Sequence, residues 1–97
     1  MGDYQVSIAD NTEAISIEPT FVEAYTNRGL TKCQIGDYPG GMIEFNKAIE
    51  VGPHYAMAYF ARGELYLELG DKKAAIIDLN IAGKLGMKEA YEILVDI

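Results

Sequence analysis

The side chains of this 97-residue sequence that could carry chemistry are few and scattered. His54 follows Pro53 with no second histidine and no cysteine at ligand spacing, so neither a metal site nor a general base is built around it. Cys33 is the single cysteine. A thiolate nucleophile needs a neighbouring base and an oxyanion site, and none stands near it in sequence, so it reads as a small, half-buried filler. Glu64 and Glu68, four apart, share one face of a helix, as do Glu44 and Lys47 on another. Paired carboxylates can move protons or hold a cation, but without a third ligand they read as a solvated charged face. Pro39-Gly40-Gly41 runs into Met42-Ile43-Glu44 and lacks the Lys-Ser/Thr that a phosphate loop requires. No catalytic residue, metal or cofactor is expected, and the chain reads as a non-enzyme.

Arg28 and Arg62 stand apart because they recur 34 positions from one another, as do the acids Asp10, Glu44 and Asp78. Two roles fit this spacing: a ladder of arginine–carboxylate pairs between neighbouring helices, or a grip on an acidic ligand.

The same interval runs through the elements that must position these residues. Gly36-Asp37-Tyr38 repeats Gly2-Asp3-Tyr4 after 34 positions, and Gly70-Asp71-Lys72 follows after another 34. In that frame Ala14, Ala48 and Ala82 align, as do Pro19 with Pro53, Ala24-Tyr25 with Ala58-Tyr59, and Arg28-Gly29 with Arg62-Gly63. Small, aromatic and breaker residues answer different steric demands, so their agreement in one frame marks a true repeat. Within each period apolar residues fall in steps of three and four, interrupted at Gly-Asp, which gives two helices joined by a tight turn. Gly36 and Gly70 suit the left-handed position that closes a helix, and Asp37 and Asp71 suit the cap that opens the next. Pro19 and Pro53 end the second helices. The spacing predicts helices near 4–17, 21–35, 38–51, 55–69, 72–85 and 88–96. Two sites read as locally weak: Pro39-Gly40-Gly41 in a first helical turn, and Asn11 where the later repeats carry Phe45 and Leu79.

The pattern resembles the tetratricopeptide repeat, with its signature W-x2-L-G-x2-Y, A-x3-F and P. The middle unit reads Tyr25-x2-Arg28-Gly29-x2-Lys32, then Gly41-x3-Phe45, Ala48 and Pro53; the next reads Tyr59-x2-Arg62-Gly63-x2-Tyr66, then Ala75-x3-Leu79 and Ala82. Arginines replace the usual leucine, Gly41 the usual alanine, and Met87 the closing proline. The resemblance implies an all-α fold: a right-handed superhelical array of antiparallel helix pairs, an α-solenoid of about six helices. It implies a single repeat domain over 1–97, with 3–20 the second helix of a partial repeat, 22–55 and 56–89 full repeats, and 88–97 a capping helix. On this frame the chain is expected to be a fragment or a minimal array with an orphan first helix.

In proteins of that family the first helices line a concave groove that holds a peptide or helix. Carried over position by position, the partner-binding residues become Glu23, Thr26, Asn27, Leu30 and Gln34, with Cys33 beside them, in the middle unit. In the next unit they become Met57, Phe60, Ala61, Glu64, Leu67 and Glu68. Met57, Phe60 and Leu67 form an apolar stripe beside two carboxylates, suited to an apolar or apolar-plus-basic segment; alternatively, the C-terminal helix covers it through Tyr91, Leu94 or Val95. The amide of Asn27 suits a peptide backbone. Thr26, Leu30, Phe60 and Glu64 occupy slots where a chaperone-tail clamp would want lysines and asparagines, so that ligand is not expected.

Fifteen acidic against eight basic side chains give a net charge of −7, which disfavours nucleic acid and anionic membrane. No apolar run approaches the roughly 18 residues of a membrane span, no basic-then-apolar leader opens the sequence, and one cysteine allows no intrachain disulfide, so a cytoplasmic setting is expected. The expected function is a protein–protein interaction module. The alternative is a self-assembling or linking segment of a larger repeat protein that oligomerises through its open ends.

Overall fold

The structure is a computed structural model that describes residues 2–97. Its six helices are α1 (Gly2–Ile17), α2 (Val22–Gln34), α3 (Tyr38–Val51), α4 (Ala56–Glu68), α5 (Lys72–Lys84) and α6 (Lys88–Asp96). Each lies within two residues of the boundary predicted from the spacing.

The turns are made by the residues that the repeat singles out. Gly36 and Gly70 adopt φ of 89° and 85°, a region closed to most side chains. After each glycine the Asp N–H reaches back to the helix: Asp37 N to Lys32 O at 2.8 Å, Asp71 N to Tyr66 O at 2.8 Å. The glycine N–H takes the carbonyl one residue further on, so two orphan helix-end carbonyls are tied off within one tight loop. The same Asp then caps the next helix, its carboxylate accepting from Gly40 N at 2.9 Å and Ala74 N at 3.2 Å. A third turn of this kind closes α5 at Gly86, with φ 112° and Met87 N on Ala82 O. It opens α6 without a side-chain cap, because Met87 stands where the aspartates do.

The chain forms two compact units, Met1–Pro53 and His54–Ile97. In the first, α2 packs on both α1 and α3. Phe45 and Ala48 of α3 are fully buried with Ala24 and Tyr25 of α2, and the Tyr25 hydroxyl donates to Pro19 O at 2.9 Å. In the second, α5 packs on α4 and α6 around Ala75, Leu79, Ala82 and Ala90, with Met87 and Leu94 among the residues against that cluster. Small residues set how close the helices come. A Cβ on Gly29 would lie 2.6 Å from the Phe45 ring, and one on Gly63 3.0 Å from Leu79 Cγ.

Both sites that read as locally weak have a structural explanation. Gly40 leaves room for the capping carboxylate of Asp37, and Gly41 for the sulfur of Cys33, so these glycines serve close approach inside a formed helix. Asn11 is half-buried and donates to Ser7 O at 2.8 Å, and among the described residues of α1 none is fully buried.

Gly29→Val forces a branched side chain into the Phe45 ring; overpacking of this kind costs about 1–3 kcal/mol. The expected drop in thermal midpoint is at least about 4 °C. Gly36→Val, which has open space but a positive φ, should lose stability through backbone strain with Phe45 packing intact, so near-ultraviolet aromatic signals separate the two variants.

Candidate partner-binding surface

The arginines are committed to holding the helix pairs together. Arg28 on α2 embraces the Glu44 carboxylate of α3, Nε to Oε2 at 2.5 Å and Nη2 to Oε1 at 2.9 Å. Arg62 on α4 does the same to Asp78 of α5, at 2.7 and 2.9 Å. Both acids are buried, 3% and 2% exposed, which a carboxylate tolerates only when paired. The arginines also lie over aromatic rings of their own helices, Arg28 over Tyr25 and Arg62 over Tyr59 and Tyr66, at about 6 Å from the centroids. Lys32 adds a second cation to Glu44 at 2.8 Å, one helical turn beyond Arg28 on the same face. Burial alone would raise the Glu44 carboxyl; hydrogen bonds from Arg28 and Lys32 outweigh it and hold the group below its ordinary value. The Asp78 hydrogen bond pushes Arg62 up.

The predicted ladder therefore has two rungs. Asp10, its expected third acid, is exposed, and the spare Nη1 of Arg28 donates instead to the Thr12 hydroxyl of α1 at 3.1 Å. Ser7 and Thr31 share a hydrogen bond at 2.9 Å across the same α1–α2 contact. The sequence reading missed both hydroxyl links.

The residues carried over as partner contacts divide by exposure. Glu23, Asn27 and Gln34 of α2 are exposed and Leu30 half-buried. On α4, Glu64 and Glu68 are exposed, and Met57, Phe60 and Leu67 half-buried. Thr26 and Ala61 are corrections. Thr26 is fully buried with its hydroxyl on Val22 O at 3.0 Å, and Ala61 is 3% exposed, so neither offers surface to a partner. Phe60 and Leu67 rest one side on the Ala75–Ala90 cluster, where Leu94 also packs. Of the three C-terminal residues expected to cover them, Leu94 packs on that same cluster, whereas Tyr91 and Val95 are exposed and the Tyr91 ring lies over Gly83. The α4 surface is thus an anchored apolar strip edged by two free carboxylates. Neighbouring protein displaces water from Glu64 and raises its pKa, so a cation placed there gains more than it would at an open surface. Cys33 is half-buried, and burial, then the charge of Asp37, pushes its thiol up, away from a reactive thiolate.

Among the described residues no group of three His, Cys, Asp or Glu side chains is placed to hold a metal ion, and no helix is long and apolar enough to cross a membrane.

Six helices with no strand among the described residues, with the same glycine turn recurring after 34 residues at Gly36 and Gly70, define an all-α helical-repeat protein. Residues 44–77 match the family model of the tetratricopeptide repeat, and the chain has the tetratricopeptide-repeat fold. Among solved structures it is similar to the first repeat domain of Spaghetti (RPAP3) bound to the HSP90 peptide SRMEEVD, with TM-score 0.88 and 23% identity over 98% of this chain and 77% of that one. The TPR2B domain of yeast Sti1 in its pHsp70 complex gives 0.81 and 24% over 87% and 67%. MamA gives 0.79 and 24% over 92% and 52%. No curated protein matches the chain in sequence.

Two expected outcomes test the paired carboxylates. Arg62→Ala leaves Asp78 buried and unpaired, a loss of about 3 kcal/mol by chemical denaturation. For Glu44 the folded pKa lies below its unfolded value near 4.5, so its stabilisation is complete above that value and lost as pH falls through the folded one. Unfolding midpoints measured from pH 6 to pH 2 should fall less steeply in Glu44→Gln than in the parent.

Proposed function

We propose that the chain is a non-enzymatic protein-interaction module that takes an apolar-plus-basic segment of a partner protein on the surface of α4. The surface of α4 carries this reading: Met57, Phe60 and Leu67 are half-exposed in one strip, with Glu64 and Glu68 exposed beside them. Apolar side chains supply the area and the carboxylates select the charge. On α2, in the other unit, the exposed Glu23 and the Asn27 and Gln34 amides offer a separate set of polar contacts, the amides suiting a peptide backbone through both donor and acceptor.

Peptide binding by related folds supports the general class. The Spaghetti domains are described with SRMEEVD, a peptide of three acids and one arginine, and the Sti1 domain with pHsp70. This chain differs in the charge that it presents. Arg28 and Arg62, one of whose two expected roles was to grip an acidic ligand, are turned onto Glu44 and Asp78. The net charge of −7 adds long-range repulsion against an acidic segment. Partner choice is therefore of opposite sign to that peptide.

The reading is tested by isothermal titration with a peptide carrying two leucines and two lysines. Met57→Asp and Glu64→Lys, both at surface positions, should each weaken binding about tenfold, a change of 1.4 kcal/mol, with the helical signal unchanged. Phe60→Ala is the less clean probe because Phe60 also packs on the core cluster. Undiminished affinity in both Met57→Asp and Glu64→Lys would remove α4 as the binding surface.

A further inference from the structure

We propose that the α4 surface takes as its occupant the outward face of α5 on a second copy of the chain, so that copies join head to tail. This names the partner of the site proposed above and rests on that reading of α4. Lys73, Ile77, Asn80 and Lys84 follow one another in steps of four, three and four, which sets them in one stripe along α5, with Ile76 at its edge. Lys73, Ile76, Ile77 and Lys84 are exposed, Ile77 by 61%, and Asn80 is half-buried. Two isoleucines and two lysines on one helix are the apolar-plus-basic content that Met57, Phe60, Glu64 and Leu67 suit.

The distribution of free charge singles out α5. Arg28 and Lys32 are held by Glu44, Arg62 by Asp78 and Lys47 by Glu50. Among the described residues the lysines and arginines without an ion pair are therefore Lys72, Lys73, Lys84 and Lys88, all on α5 or in the first turn of α6. On α3 the equivalent isoleucine, Ile43, is also exposed, but Lys47 beside it is neutralised by Glu50, so that face offers apolar surface without free positive charge. The openness of the stripe does not depend on where the sequence ends. Its counterparts 34 residues earlier, Pro39, Ile43, Asn46 and Glu50, are exposed although α4, α5 and α6 follow them.

The spacing matches as well as the charge. Read backwards along α4, Glu64, Phe60 and Met57 fall in steps of four and three; Lys73, Ile77 and Asn80 fall in the same steps forwards along α5. Antiparallel helices then set Lys73 on Glu64 and Ile77 on Phe60 together, whereas the parallel register that sets Lys84 on Glu64 puts the Asn80 amide on the Phe60 ring. Neighbouring protein already displaces water from Glu64, which strengthens its pull on a cation. Arg62 and Gly63 of α4 turn toward Asp78 and Leu79 of α5, so the α4 strip and the α5 stripe face away from one another across the helix pair. One chain cannot bring them together, and each copy that docks leaves one surface of each kind free, so association is heterologous and continues with concentration. The contact is small and two chains of charge −7 repel, which confines assembly to the concentrated chain.

The experiment is a charge exchange read by sedimentation equilibrium across about a hundredfold range of concentration. The mass of the parent should rise with concentration. Glu64→Lys and Lys73→Glu, both at exposed positions, should each weaken self-association about tenfold with the helical signal unchanged by circular dichroism. An equimolar mixture of the two variants should associate again, because the exchanged charge of one meets the exchanged charge of the other, and the chain carrying both substitutions should associate as the parent does. The proposal is overturned if the concentrated parent stays monomeric, if its association is indifferent to both substitutions, as stacking through open ends would be, or if the mixture and the double variant fail to associate. The reading of α4 itself is judged on dilute chain with the leucine–lysine peptide. Peptide binding there without assembly on concentration overturns this inference alone; absence of both overturns this inference and the α4 reading together.

Discussion

Within each unit, the close contact of a first helix with a second depends on one paired device, a glycine beside an arginine. Gly29 and Gly63 remove the Cβ that would otherwise meet Phe45 or Leu79, and the helices can then approach. At that approach the next acid on the second helix is cut off from water. Burying Glu44 or Asp78 alone would be prohibitive, and the preceding Arg28 or Arg62 supplies a two-point partner in place of the lost hydration. The small residue and the charge pair are therefore one constraint. A larger residue at the glycine would open the pair, and loss of the arginine would leave a charge stranded inside it.

That constraint also governs which charges are left for other proteins. Arg28 and Lys32 are both taken up by Glu44, and Arg62 by Asp78. The free charge on the first helices is then largely acidic, at Glu23, Glu64 and Glu68. Structural use of the cations thus leaves acidic free charge on these helices, which is the basis of the proposed preference for basic segments, although the fold is shared with domains described in complex with an acidic peptide.

Much of this was legible in the sequence because the repeated residues are those with narrow conformational or steric roles. Gly36 and Gly70 need positive φ, Asp37 and Asp71 cap, and the arginine–acid interval placed both rungs correctly. What was not legible depends on depth and on contacts without a fixed spacing. Thr26 and Ala61 share a helical side with exposed neighbours, but helical periodicity gives direction and says nothing of how far a side chain sinks into its surroundings. The break between 85 and 88 was expected, but its glycine turn was not, because Met87 stands where an aspartate marks the other two, and the seating of Tyr91 on Gly83 joins two helices that the repeat frame does not pair. Asp10 was expected to be a rung, and its exposure could be learned only from the fold.

The central claim is the proposed selectivity of the apolar α4 surface for basic segments. It is tested most directly by recording backbone amide spectra of the 15N-labelled chain during titration with two peptides of equal apolar content, SRMEEVD and a counterpart with its acids replaced by lysines. The account expects saturable shifts with the lysine peptide, concentrated at Met57, Glu64, Leu67 and Glu68, and little response to SRMEEVD. Tighter binding of the acidic peptide, or shifts with the lysine peptide that avoid α4, would contradict it.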